Sequence, residues 1–155
     1  MSVLNSPSTC LLNDPSQVEA VGFERWKRPV LARFLPGTHL RFARSAAPGA
    51  ALVRWGYRGE EQARRWPGPV MQVEDGFLRS VGLGGDMHRP LSWVVDHRGL
   101  YYDATRPSDL EDWLASNELR AEQLARAASL RQRLVREAIT KYNLSAKPWQ
   151  RPPGL

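Results

Sequence analysis

One stretch of the sequence decides the predicted fold: QVEDGFLRSVGLGGD, residues 72–86. The apolar run at residues 69–73 leads into it and is typical of a short buried strand. That strand ends in two adjacent carboxylates, Glu74 and Asp75. Side chains alternate between the two faces of a strand, so both carboxylates point the same way only if the backbone turns. Gly76 tolerates a positive φ and is expected to make that turn.

A glycine-rich loop follows the strand and carries Arg79 three residues after Gly76. Open α/β sheets bind their ligands at the carboxyl ends of the strands, so polar side chains delivered into such a loop indicate a binding site. The glycines of residues 82–85 are expected to let backbone N–H groups approach an anion. The alternative is structural, with the two carboxylates paired to Arg79 or to a helix N-terminus. The pattern alone leaves both interpretations open.

The composition is that of one folded domain with a basic surface. A chain of 155 residues that is 42% hydrophobic can bury a core of ordinary size. Its formal net charge of +6 favours anionic partners, which include nucleic acid, a negatively charged membrane face, acidic sugars and phosphates. The charge does not choose among them.

The sequence motifs of several common chemistries are absent. Cys10 is the only cysteine, and His39, His88 and His97 have no second ligand at a metal-binding spacing, so neither a metal nor a cofactor is predicted. There is no nucleophile elbow, P-loop or complete dinucleotide fingerprint. The arginines are spread over helices and no nucleic-acid-binding motif occurs, so nucleic acid is not predicted as a partner.

The order of the predicted elements indicates an α/β fold. A strand, a short helix and a strand in succession over residues 50–73 predict a parallel βαβ unit with a right-handed crossover. A capping box formed by Ser108 and Glu111 predicts the start of a helix. The other elements follow from apolar periodicity. They are an amphipathic helix over residues 18–35, interrupted near Pro29; strands at 39–43, 50–56 and 90–96; a turn at 45–49; a helix at 60–66; a hairpin arm at 100–103; and a long surface helix over 118–142 that covers the sheet.

Three segments are predicted. Residues 1–17 are expected to be poorly ordered, residues 18–144 to form the folded domain, and residues 145–155 to be a Pro-rich tail or linker to a missing second domain. No signal peptide and no membrane-spanning run is found. The protein is therefore predicted to be cytoplasmic, with peripheral contact to the inner membrane as an additional prospect because a basic amphipathic helix can lie on anionic lipid.

Seven short motifs occur in order along the chain. They are VGFERWKR (21–28), VEDGFLRSVGLG (73–84), RPLS (89–92), VVD (94–96), GLYYD (99–103), ATRPSDLE (104–111) and TKYNL (140–144). In this order they resemble motifs of the bacterial capsule polysaccharide biosynthesis and export proteins, which include retaining β-Kdo transferases. The resemblance covers roughly residues 20–150, and VGFERWKR resembles the entrance to the second of that family's two transferase modules.

The resemblance implies a Rossmann-like three-layer domain that forms the acceptor-side half of a GT-B-type glycosyltransferase. The implied partners are a lipid-linked Kdo acceptor and, only where the missing domain is present, the donor CMP-Kdo. The chain has no His-Pro motif of the kind that holds the donor phosphate in the family. The resemblance therefore implies a truncated module that is inactive alone.

The resemblance also assigns roles to residues. Glu74 and Asp75 match the family's acidic motif and are predicted to be catalytic, as acid/base groups or by orienting the acceptor hydroxyl. Arg79 is predicted to bind the Kdo carboxylate of the acceptor or, with equal weight, to form an ion pair with Glu74 or Asp75. The rest of the predicted substrate-binding set consists of Gly76, Ser80, Gly82 and Gly84.

Two functions from other classes remain as alternatives. The first is a non-catalytic module that binds anionic lipid or glycan. The second, less favoured, is a nucleic-acid-binding protein with steeply salt-dependent affinity.

Overall fold

The computed structural model describes residues 17–42 and 51–144. The chain divides into two compact units. The first unit consists of Met1–Glu74 and Trp93–Glu118, and the second consists of Asp75–Ser92 and Leu119–Leu155. The predicted disordered segment (apart from Gln17), the turn at 45–49 and the Pro-rich tail lie outside the described residues.

A five-stranded sheet forms the centre of the first unit. The strand order is β2-β1-β3-β4-β5, and β1 pairs in parallel with both β2 and β3, as β3 does with β4. The β3–β4 register places Trp55 opposite Val73, so both strands end at the same edge. The strands are β1 (Val18–Val21), β2 (Leu40–Arg41), β3 (Ala51–Trp55), β4 (Val70–Asp75) and β5 (Trp93–Asp96).

Helices cover both faces of this sheet. The helix α1 (Arg28–Phe34) packs with its Val30 and Leu31 against strand residues such as Val53 on one face. The helix α2 (Glu60–Arg64) lies on the other face, where Ala63 and Trp66 pack against Leu52. Both faces of the sheet are therefore buried, as expected for parallel strands. The predicted α/β class and the βαβ unit over β3, α2 and β4 are confirmed.

The predicted helix over residues 18–35 is wrong in its first half. Residues 18–21 form β1, a 3-10 turn covers Arg25–Lys27, and the helix begins only at Arg28. Pro29 therefore lies in the first turn of α1, where its missing N–H costs no hydrogen bond. The strand escaped prediction because it has only four residues and includes Glu19, which is 1% exposed. A buried parallel strand normally has an unbroken apolar sequence.

The predicted hairpin after residue 96 is also wrong. The structure has β5 but no strand at residues 100–103, where Tyr101 and Tyr102 form a turn. The cause is Asp96, which is 1% exposed at the end of β5. Its carboxylate accepts hydrogen bonds from the backbone N–H groups of Arg98 and Gly99 at 2.8 Å and of Asp109 at 2.9 Å. These bonds turn the chain after β5, so residues 100–103 do not pair with it as a second strand.

The helices near the end of the described chain follow their local signals. The helix α3 (Asp109–Ser116) begins with the predicted capping box, in which the Glu111 N–H donates to Ser108 Oγ and the Ser108 N–H donates to Glu111. The helix α4 (Ala121–Arg136), in the second unit, is shorter than predicted. Ala138 has a φ of +49°, which an α-helix does not accommodate.

Two side chains of the predicted apolar stripe of α4 are exposed. Leu124 is 52% exposed and Val135 is 76% exposed. Coverage of the sheet by this helix stays a prediction. Periodicity identifies an amphipathic helix, but it does not identify what the apolar face contacts.

Candidate functional site

The half-buried carboxylate of Glu74 stands at the carboxyl end of β4 in the first unit. Alternation along β4 places Glu74 on the same face as Gln72. Gly56 faces Glu74 from the end of β3, where an added Cβ would lie 3.3 Å from Glu74 Oε2. Glycine at this position, with a φ of +52°, therefore leaves room for the carboxylate.

Tyr102 is a hydrogen-bond partner of Glu74. Its hydroxyl donates to Glu74 Oε2 across 3.1 Å. Burial and, after it, the charge of Glu74 raise the pKa of the Tyr102 phenol to about 12. The phenol therefore stays protonated at neutral pH and remains a donor to this carboxylate.

A second tyrosine pairs with an acid in the same unit. Tyr57, just after β3, donates its hydroxyl to Asp103 Oδ2 at 2.7 Å. Burial and the neighbouring Asp103 raise the pKa of Tyr57. Hydrogen bonds from Thr105, followed by that from Tyr57, lower the pKa of Asp103 to about 2. Tyr57 is therefore a neutral donor and Asp103 an ionised acceptor at physiological pH.

An ion-pair network supports the Tyr57 ring. Glu60, in the first turn of α2, pairs with Arg54 of β3, which is 4% exposed, and accepts a hydrogen bond from Arg106 at 2.9 Å. The Arg54 guanidinium is the main cause that lowers the pKa of Glu60 to about 2. The Arg106 guanidinium lies 4.6 Å from the centre of the Tyr57 ring. These charges fix the residues beside the carboxyl end of the sheet.

In the second unit, Arg79 makes the structural contacts that the sequence left as an alternative. It is 1% exposed, and its Nε lies 2.9 Å from Asp75 Oδ1. Its Nη1 donates to Ser80 Oγ at 2.7 Å and to the His88 carbonyl at 2.9 Å. The geometry favours the ion pair with Asp75. A direct contact between Arg79 and substrate stays a prediction.

The predicted substrate-binding glycines have packing reasons in the second unit. An added Cβ at Gly76 would lie 2.8 Å from Ser92 Cβ, and one at Gly84 would lie 2.7 Å from Arg79 Nη2. Gly82 has a φ of +102°, and a Cβ there would clash with the His88 ring.

Two details of the predicted loop are wrong. Gly76 does not adopt the expected positive φ. The Gly82 N–H donates to the Tyr142 carbonyl at 2.7 Å, so it is not directed at an anion. Ser80 is likewise occupied within the loop, since its hydroxyl donates to the Gly82 carbonyl at 2.6 Å.

The sequence reasoning missed the tyrosines and their acid partner. Tyr57, Tyr102 and Asp103 lie 28 to 46 residues from the groups that they contact. The one available signal was the motif GLYYD, in which two tyrosines and an aspartate are adjacent. That motif was interpreted as a strand arm, although side chains so rich in hydroxyl and carboxyl groups are more typical of a polar site.

Within residues 17–42 and 51–144, no group of three or more His, Cys, Asp or Glu side chains is placed to hold a metal ion. In the same part of the chain, no helix is both long and apolar enough to cross a membrane.

The fold and site define a class of protein: an open α/β sheet with an acidic side chain at the carboxyl end of an inner strand, where such sheets bind ligands. The chain belongs to the capsule polysaccharide biosynthesis protein family, whose model matches residues 51–147. The match contains β3, β4, β5 and the loop around Arg79, and therefore all the predicted site residues.

Curated relatives of the chain have names from capsule and lipopolysaccharide biology. The capsule polysaccharide modification protein LipA of Neisseria meningitidis is 32% identical over 150 residues, which cover 88% of this chain and 21% of LipA. The lipopolysaccharide-processing protein LpsZ of Rhizobium meliloti is 33% identical over 141 residues, which cover 79% of this chain and 32% of LpsZ. The chain thus spans a third or less of the length of these relatives.

Two solved structures from Thermosulfurimonas dismutans share the fold. The KpsC β-Kdo 2,4 transferase superposes with a TM-score of 0.70 at 34% identity and covers 90% of this chain, which corresponds to 46% of the KpsC chain. The KpsC β-Kdo 2,7 transferase gives a TM-score of 0.60 at 30% identity over 78% of this chain and 43% of the other. The chain therefore matches about half of each transferase structure.

Proposed function

We propose that this chain is the acceptor-side half of a β-Kdo transferase module in capsule polysaccharide biosynthesis. Its substrate would be a lipid-linked Kdo acceptor, and CMP-Kdo would bind only together with a second domain. Membership of the family and the likeness to half of each of two Kdo transferases support this proposal. The observation that carries it is the Glu74 carboxylate, held by Tyr102 at the carboxyl end of β4.

In this proposal, Glu74 acts on the acceptor hydroxyl. Over the whole transfer, a bond forms between the acceptor oxygen and the anomeric carbon, the bond from that carbon to the phosphate of CMP breaks, and CMP leaves. The acceptor hydroxyl loses its proton in this process, and a carboxylate can accept that proton. Tyr102 donates a hydrogen bond to Oε2 of the same carboxylate. A catalytic role for Asp75 stays a proposal. Its ion pair with Arg79 supports a positioning role instead.

A binding titration and a transferase assay test the proposal together. We expect a soluble Kdo-terminated acceptor to perturb the NMR signals of Gly56, Glu74 and Tyr102. Glu74→Gln should weaken that binding about fivefold, since one charge-assisted hydrogen bond is lost. We expect no Kdo transfer when this chain alone is mixed with CMP-Kdo and the acceptor.

Glu61→Gln is the matched control. Glu61 is an acid in the same unit, and its side chain is 82% exposed in an ion pair with Arg65. It should leave acceptor binding unchanged. Transfer by this chain alone that Glu74→Gln abolishes would show that the chain holds a complete site, which contradicts the proposed half-module. Acceptor binding that Glu74→Gln leaves unchanged would contradict the role of Glu74.

The exposed side chains of α4 support contact with the inner-membrane surface as part of the same function. A helix that exposes both apolar and basic side chains is suited to an anionic bilayer. We expect this chain to sediment with vesicles that contain phosphatidylglycerol, less so at high salt, and Val135→Asp to weaken it. Equal binding to neutral vesicles at every salt concentration would contradict this. The arginines of this segment are Arg120, Arg126, Arg131, Arg133 and Arg136.

A further inference from the structure

A groove of about 780 Å³ runs along the open edge of the sheet in the first unit. It lies between α1 and the edge strand β2, and both contribute side chains to its walls. Arg28, His39 and Arg41 line it, and none of the described lining residues is acidic. The volume is within the range of roughly 300–1,000 Å³ that is typical of small-molecule sites. A basic lining without carboxylates favours an anionic ligand.

A buried carboxylate holds Arg41 at this groove. Glu19 is opposite Arg41 in the β1–β2 register and is 1% exposed. Its Oε1 lies 3.4 Å from Arg41 Nη1, and neither of its oxygens makes a hydrogen bond within the described residues. A buried carboxylate is costly without a nearby cation, so Glu19 draws one side of the guanidinium against the strand. The Arg41 side chain is still 54% exposed, which leaves other N–H donors for a ligand.

An aromatic ring orients the second arginine. The Arg28 guanidinium lies 4.8 Å from the centre of the Phe42 ring. Stacking on a ring leaves the N–H donors at the edge of a guanidinium directed outward, where they can bind a carboxylate or phosphate in pairs. Thr38 and Gln17 add a hydroxyl and an amide to the lining, which suit the hydroxyl groups of a sugar.

We propose that this groove is a second ligand site, which binds a carboxylate or phosphate group carried on a sugar or a lipid headgroup. Arg28 and Arg41 would bind the anion. The groove is separate from Glu74, because β2 and β4 are three strand spacings apart in the sheet, or about 14 Å at about 4.8 Å per spacing. Kdo is the first probe because of the proposed function, on which this choice rests. The argument from the charged side chains of the groove does not depend on that function.

Three probes distinguish the sources of the anion. Free Kdo, inorganic phosphate and vesicles containing phosphatidylglycerol are each titrated into the full chain, and the backbone NMR signals of residues 38–42 are followed. We expect free Kdo to perturb these signals saturably. Arg28→Gln and Arg41→Gln should each weaken the binding about fivefold, since each removes a charge-assisted contact. Perturbation by phosphate or by the vesicles without an effect of Kdo would support the site and identify the phosphate as its ligand.

Arg33→Gln is the matched control, because Arg33 is an exposed arginine of α1 outside the groove. It should change the affinity less than twofold. Glu74→Gln should also leave it unchanged, which separates this site from the proposed acceptor site. Arg41→Gln also removes the cation beside the buried Glu19 and can therefore affect folding. Among the described residues, Arg28 forms no ion pair with a buried carboxylate, so Arg28→Gln tests ligand binding without that effect. No saturable perturbation of residues 38–42 by any probe, or equal weakening by Arg33→Gln, would overturn the proposal.

Discussion

Replacing Glu60 with glutamine should destabilise the protein in a pH-dependent way. Glu60 is the carboxylate shared by Arg54 and Arg106, and Arg54 is 4% exposed. Glu60→Gln keeps the shape of the side chain but leaves the Arg54 charge buried without its ionic partner. Breaking a buried pair in this way is much more costly than breaking a pair on the surface.

The magnitude follows from the pKa of Glu60, which falls from 4.5 to about 2. At 1.36 kcal/mol per pKa unit, that difference corresponds to about 3 kcal/mol of stabilisation. The Glu60 side chain is 29% exposed, and the solvent weakens its interactions. We therefore expect Glu60→Gln to lower the free energy of unfolding by about 2 kcal/mol at pH 7.

The lowered pKa of Glu60 determines the sign of the pH dependence. A carboxyl with a lowered pKa in the folded state contributes its stability above pH 4.5, and that contribution is lost as the pH falls towards 2. Urea unfolding of the wild type and of Glu60→Gln should therefore converge between pH 4.5 and pH 2.

Glu61→Gln gives the control for this measurement. The neighbouring Glu61 pairs with Arg65 on the surface, and the two side chains are 82% and 79% exposed. Its loss should cost less than about 0.5 kcal/mol at any pH. The reasoning would be refuted if both variants lost the same free energy of unfolding. It would also be refuted if the loss caused by Glu60→Gln were the same at pH 7 and pH 2.5.

Three further predictions concern the two halves of the predicted site. Glu74→Gln should lower the pKa of Tyr102 from about 12, though not below 10 because burial remains the largest cause; the NMR titration of the Tyr102 ring measures this, and an unchanged midpoint would contradict the hydrogen bond. Arg79→Lys should cost about 3 kcal/mol in urea unfolding, because lysine lacks the planar fork whose separate nitrogens contact Asp75, Ser80 and the His88 carbonyl. Arg89→Lys, an exposed change in the same loop, should cost almost nothing, and similar losses from the two variants would contradict the structural role of Arg79. Gly82→Ala should cost more than about 1 kcal/mol in the same assay, since its φ of +102° disfavours a side chain and the His88 ring blocks one; a neutral effect would exclude that clash.

The elements that sequence reasoning predicted correctly have local causes. The capping box joins residues three positions apart, and the strand that ends at Glu74 is an apolar run between turn residues. The βαβ unit follows from the order of its elements. In each case, the forces that form the element act among neighbours in the chain, so the pattern is visible in a short window.

The contacts that the sequence did not reveal join distant residues or reverse a local pattern. The hydrogen bond from Tyr102 to Glu74 spans 28 residues, and that from Tyr57 to Asp103 spans 46. The buried strand β1 was not predicted, because the charged residue Glu19 interrupts the apolar run expected of such a strand. Arg79 is an intermediate case: its two predicted roles had equal weight, and only the three-dimensional contacts favour the ion pair.

The discontinuous composition of the second unit has a consequence for the order in which the protein folds as it is synthesised. A nascent chain of 118 residues contains every residue of the first unit. These residues include β3 and β5, the strands on either side of the strand that carries Glu74. The loop around Arg79, in contrast, needs the carbonyl of Lys141 for the Arg79 N–H and that of Tyr142 for the Gly82 N–H. At about 5–20 residues per second, these partners leave the ribosome a few seconds after residue 118. The buried arginine loop is thus a late element of folding, closed only when the last part of the described chain has emerged.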